Sequence, residues 1–152
     1  MSYSEKISNK LNELLSKNYD AEKGYINASK NVDSERLKSF FMSRASERSA
    51  FAKELRTDIL MYGQVPEEDG SFKGSMHRNW MTLKSLFSSN DEEAILEEAL
   101  TGEKASLKEY EEMINEFKDE VLPPSTENIL LKQKDAIQGA INSIKAEEEF
   151  VS

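Results

Sequence analysis

Apolar residues recur along this chain at steps of three and four, the period of a helix with one buried face. Over about residues 4–31, Ile7, Leu11, Leu14, Asn18, Glu22, Tyr25 and Ser29 share such a face, and Ser4 is the expected cap. A second segment covers about 34–62. Leu37, Phe41, Arg44, Arg48, Phe51, Leu55 and Ile59 line its face, with Phe40 and Glu47 beside them. Asp33 or Ser34 can cap its start and Gly63 can stop it. A third segment, about 91–119, carries Leu96, Ala99, Glu103, Tyr110, Ile114 and Phe117 on one side, with Asn90 or Asp91 as its cap. Pro123-Pro124 breaks the chain. A fourth segment, about 125–149, turns Ile129 or Leu130, Gln133, Ile137, Ala140 and Ile144 inward, and residues 125–128 offer several caps.

Four helices of about 25 residues each are roughly 38 Å long at 1.5 Å per residue. The first two are joined by a few residues, and so are the last two, so each pair forms an antiparallel hairpin. Residues 64–90 between the hairpins are different. Val65-Pro66-Glu67-Glu68-Asp69-Gly70-Ser71 reads as loop, and 74–88 as a shorter amphipathic helix with Met76, Trp80, Leu83 and Phe87 on one side. A connection of that length can run the length of a bundle and make the second and third helices parallel, which is ferritin-like connectivity. The expected fold is all-α: a ferritin-like four-helix bundle over 1–152 as a single domain, with a long, partly helical crossover at about 64–90.

Composition narrows the function. The 152 residues carry 20 Lys+Arg against 29 Asp+Glu, a net charge of −9. A chain so acidic is not expected to bind nucleic acid or an anionic membrane. No cysteine is present, which removes disulfides, zinc–thiolate sites, iron–sulfur clusters and cysteine nucleophiles. The longest apolar run, Ile59-Leu60-Met61-Tyr62, is far short of a membrane span. No signal segment is visible at the start, so a cytoplasmic location is expected.

Two chemistries compete for the polar residues on the inward faces. A carboxylate-bridged di-metal centre takes a Glu from each of two helices and a Glu-x-x-His pair from each of the other two. Glu22, Glu47 and Glu103 are the candidate metal ligands, for iron or manganese. Yet Ala50 follows Glu47 by three, Ala136 follows Gln133 by three, and the one histidine, His77, lies in the crossover. The other chemistry is a metal-free polar belt. Arg44 and Arg48 fall on the apolar face of the second helix, where an unpaired charge is costly. The three glutamates can pair with them by bidentate hydrogen bonds, with Tyr25, Tyr110 and Gln133 joining the network. A third outcome leaves these charges solvated at the stripe edges. His77, Arg78 and Trp80 form a separate crossover cluster, either an anchor for the segment or the wall of a small-molecule pocket. The stretch 70–74 lacks Walker spacing, and no catalytic residue is assigned.

Several separated pieces resemble one family. They are Asn18-Tyr19-Asp20-Ala21-Glu22-Lys23-Gly24-Tyr25, Glu47-Arg48-Ser49-Ala50-Phe51-Ala52-Lys53-Glu54-Leu55, Gly70-Ser71-Phe72-Lys73-Gly74-Ser75-Met76-His77-Arg78-Asn79-Trp80, and Gly102-Glu103 through Tyr110. In order and spacing they look like a bacterial ferritin-like four-helix-bundle family whose domain is of unknown function. The resemblance implies a ferritin-like bundle over about 3–148 and no settled reaction. Elsewhere in the superfamily relatives bind iron or manganese. Many family members carry a histidine on the last helix near Ala140, where this chain has alanine. The expected function is therefore a non-enzymatic or degenerate ferritin-like protein, related to stress, with no cofactor and a charge-paired core. The alternative is a divergent iron or manganese carboxylate protein in oxidoreduction or metal handling. A homodimer is the expected assembly, and a protein partner remains unassigned.

Overall fold

A computed structural model describes residues 2–68 and 91–151. Four helices make it up: α1 (Tyr3–Asn31), α2 (Glu35–Met61), α3 (Glu92–Glu116) and α4 (Pro124–Val151). The described chain is an all-α four-helix bundle. The expected crossover helix, the 70–74 stretch and the cluster His77, Arg78 and Trp80 lie outside the described residues.

The helix ends follow local chemistry. Ser2, not Ser4, caps α1, because Ser2 and Glu5 have capping-box spacing. The Ser2 hydroxyl accepts the Glu5 backbone N–H at 3.1 Å and donates to the Glu5 carboxylate at 3.2 Å. Ser34 and Asp91 cap α2 and α3 by accepting the N–H groups of Leu37 and Ala94 at 3.3 and 3.1 Å. Helix α4 starts one residue earlier than its periodicity predicts. Pro124 fits the first helical position, where a missing N–H costs nothing. Gly63 ends α2 with φ +75°, a left-handed conformation open to glycine at no steric cost.

Cross-links fix the directions. Lys6 at the start of α1 meets Glu120 just past α3 at 4.0 Å. At the other end, the Glu92 carboxylate accepts the N–H groups of Asp33 and Ser34 at 3.2 and 3.1 Å. So α1 and α3 are antiparallel. Arg36–Glu147 at 3.0 Å and Asp58–Thr126 at 2.5 Å make α2 and α4 antiparallel too. Each helix packs on two neighbours: α1 on α2 and α3, and α4 on those same two. Hence α2 and α3 run parallel on one diagonal, with Tyr62 and Asp91 at opposite ends of the bundle.

The core is two apolar clusters rather than one. Ile7, Leu11, Leu55, Ile59, Phe117 and Leu130 belong to the first, at the end where α1 begins. Val32, Leu37, Phe41, Ile95, Leu96 and Ile144 belong to the second, at the opposite end. A layer of buried polar side chains lies between them.

Candidate functional site

All four helices contribute to that layer. Arg48 on α2 and Glu103 on α3 are each 1% exposed and form an ion pair across the bundle diagonal. The Arg48 guanidinium donates to Glu103 Oε1, and also to Asn18 Oδ1 on α1 at 2.8 Å. Tyr25 Oη on α1 donates to Glu103 Oε2 at 2.5 Å. Asn18 Nδ2 donates to the Leu14 carbonyl at 2.8 Å and to Tyr110 Oη at 3.0 Å. Tyr110 donates in turn to Gln133 Oε1 on α4 at 2.6 Å. Gln133 Nε2 reaches the Phe51 carbonyl at 3.3 Å and Glu54 Oε1 at 3.1 Å. Glu54 pairs with Lys132 at the surface. One hydrogen-bonded chain thus runs from Tyr25 through the core to solvent, and most of its buried groups are charged or charge-assisted.

Electrostatics follow from this geometry. Burial, the largest single influence, lowers the Arg48 pKa, but the charge of Glu103, the phenols of Tyr25 and Tyr110 and the hydrogen bond to Glu103 together outweigh it and the pKa is raised, so the guanidinium stays protonated. Burial, then the charge of Glu103, pushes Tyr25 well above its ordinary 10.0. Burial likewise pushes Tyr110 up to about 12. Phenols with raised folded pKa values stabilise fully below the unfolded value of 10.0 and lose that contribution as pH rises through the folded value. We expect the bundle to weaken between pH 10 and about 12, with two of its five tyrosines ionising only as it unfolds. Ultraviolet titration of phenolate beside circular dichroism measures both. Five tyrosines titrating together near pH 10 in a folded chain would contradict the buried network.

The other expected site residues fall elsewhere. Arg44 donates to Glu47 at 3.0 Å along α2, with side chains 19% and 27% exposed, and its guanidinium lies 5.9 Å from the centre of the Phe40 ring. Burial raises the Glu47 pKa above 4.5, the charge of Glu103 adds to that, and Arg44 opposes it. Glu22 lines an outer groove between α1 and α2 with Ile26, Met42, Ser46, Ser49 and Lys53. The structure therefore gathers Tyr25, Arg48, Glu103, Tyr110 and Gln133 in one network, sets Arg44 and Glu47 beside it, and leaves Glu22 outside.

A di-metal centre can be tested against these side chains. Among the described residues, no three His, Cys, Asp or Glu side chains converge as a metal-binding group. Glu103 has both oxygens committed, one to a fully buried guanidinium and one to a phenol. A metal here would have to displace a cation that the fold itself supplies. The described residues do not fit a carboxylate-bridged pair of metals.

Two features escape the helical periodicity. Glu54 ties Gln133 to the surface. Asp58, 2% exposed, accepts from Ser125 at 2.9 Å and Thr126 at 2.5 Å, and Tyr62 Oη lies 2.6 Å from the Thr126 hydroxyl. Its carboxylate meets the positive N-terminal end of α4, which favours a negative charge. Truncating Asp58 to Ala leaves those hydroxyls short of an acceptor and should cost about 1–3 kcal/mol in urea unfolding. A variant as stable as the parent would remove Asp58 from the fastening of α4.

Fold and site together define an all-α four-helix bundle whose core is split by a buried, charge-paired layer. The chain belongs to the family described as Domain of unknown function (DUF2383), whose profile matches residues 6–116. That span holds α2, α3 and all but the first three residues of α1, with Asn18, Tyr25, Arg48, Glu103 and Tyr110, and stops before Gln133. No curated protein matches the chain. None of the described helices is long and apolar enough to cross a membrane.

Proposed function

We propose that this chain is a non-enzymatic, ferritin-like bundle that works through contacts with other proteins. Its Arg48–Glu103 layer stands in place of a metal centre. The observation that carries this reading is the double engagement of Glu103, by Arg48 on one oxygen and Tyr25 on the other. A side chain so used supports fold specificity and offers no open position to substrate or oxygen. The surface supports the protein-contact part. Leu60, Met61 and Val121 are strongly exposed where α2 and α3 end, and Tyr3 is bonded to the Val121 carbonyl there. These exposed apolar side chains lie at the same end of the bundle, and a contact with another protein at that end is part of the proposal.

Metal content per chain is the test. The protein is loaded anaerobically with Fe(II), and separately with manganese or zinc, then desalted and analysed for elements. The expected result is far less than one metal per chain, the same in Glu103→Gln. Near-stoichiometric iron or manganese that disappears in Glu103→Gln would overturn the reading.

A further inference from the structure

We infer that the end of the bundle where α2 and α3 stop is a docking surface for an amphipathic helix with basic flanks, supplied by another protein. The inference rests on the protein-contact reading above and gives that partner its chemistry.

A groove of about 250 Å³ opens there between the end of α3 and the start of α4. Ile114, Phe117, Leu122, Leu130 and Leu131 line it with apolar surface. Leu131 is 39% exposed, and Val121, next to Leu122 in the chain, is 91% exposed. An apolar groove of this kind takes the apolar face of a helix, whose anchors recur at three and four residues. Charge selects the flanks. Glu120 and Glu127 outnumber Lys118 in the lining, and Asp119 adds to them. Glu120 also meets Lys6 at 4.0 Å, an exposed pair that solvent screens. The negative ends of α2 and α3 both point to this end, with no basic side chain in the last turn of either. The positive ends of α1 and α4 already hold Glu5 and Glu127 in their first turns. A second copy of the chain would bring the same acidic end, and like charges facing each other oppose docking. A helix rich in lysine or arginine matches both the groove and its charge.

The test uses the full chain and labelled synthetic peptides of about 14 residues, roughly four helical turns. One peptide has Leu at helical spacing and Lys elsewhere. A second has Glu in place of each Lys, and a third is the Lys peptide scrambled so that no apolar face forms. Fluorescence anisotropy reads binding at about 0.1 M salt. The expected result is binding of the Lys helix, with the other two peptides at least roughly tenfold weaker. Leu131→Gln/Val121→Ser and Glu120→Gln/Glu127→Gln should each weaken the Lys helix by about tenfold. All four residues are exposed, so both variants keep the fold, which circular dichroism checks. No binding of the Lys helix, equal binding of the scrambled peptide, or unchanged binding in either variant would overturn this inference while leaving the metal-free core intact. A wild-type dimer in sedimentation that Leu131→Gln/Val121→Ser dissolves would also overturn it, in favour of a second copy. Stoichiometric iron lost in Glu103→Gln would overturn the wider reading and leave the docking result standing.

Discussion

Glu103→Gln destabilises the bundle by about 3–5 kcal/mol, the loss expected when one partner of a buried ion pair is removed. The substitution is nearly isosteric, and the amide oxygen can still accept from Tyr25. What it removes is charge. Arg48 then remains buried at 1% exposure, still donating to the Asn18 amide oxygen but without the Glu103 carboxylate that balances its charge, and far from water that could solvate it. Burial lowers the pKa of Arg48, and without Glu103 nothing of equal strength opposes that effect. Urea unfolding measures the change directly. A midpoint equal to the parent's would mean that the charge of Glu103 contributes nothing to the fold.

Phe41→Ala is the second large effect, also about 3–5 kcal/mol, because it opens a cavity that rigid neighbours cannot fill. Phe41 is fully buried in the cluster beyond the polar layer. Its ring stacks on Tyr25 at 6.1 Å and meets Phe40 edge-on at 5.5 Å. The cavity would lie against the phenol that orients Glu103, so loss of packing should also loosen the network. Phe150→Ala is the control. That ring is 67% exposed and lies 3.7 Å from the Arg36 guanidinium, so its truncation should cost well under half as much. Equal losses at the two positions would contradict the assignment of Phe41 to the core. The tyrosine beside Phe41 touches Glu103, so the two large substitutions should not be additive when combined.

The helices were legible because each repeats its buried face over about seven or eight turns, and small errors at their ends do not move that face. Tyr25, Arg48, Glu103 and Tyr110 could be placed inward for the same reason. Glu22 shows where spacing fails. On a helix of 3.6 residues per turn it lies about 40° round from Asn18 and about 60° from Tyr25, at the edge of the stripe. Packing, not period, decides the side of the edge, and Glu22 falls in the outer groove. Glu54 and Asp58 were missed because α2 buries two faces, one on α1 and one on α4. The series Arg44, Glu47, Glu54, Asp58 follows the second face at helical spacing, and that polar stripe was the available signal. Asn18 was visible on the inward face, but its bridging of Arg48 and Tyr110 depends on which helices are neighbours, which only the assembled bundle supplies.

The most direct test of the charge-paired core is a double-mutant cycle on residues 48 and 103, read by urea unfolding at neutral pH. Arg48→Met and Glu103→Leu each leave one buried charge without its partner, whereas the combined variant leaves none. The account predicts a loss of about 3–5 kcal/mol for each single change and a double variant much closer to the parent than their sum. Losses that simply add, or single variants as stable as the parent, would contradict it.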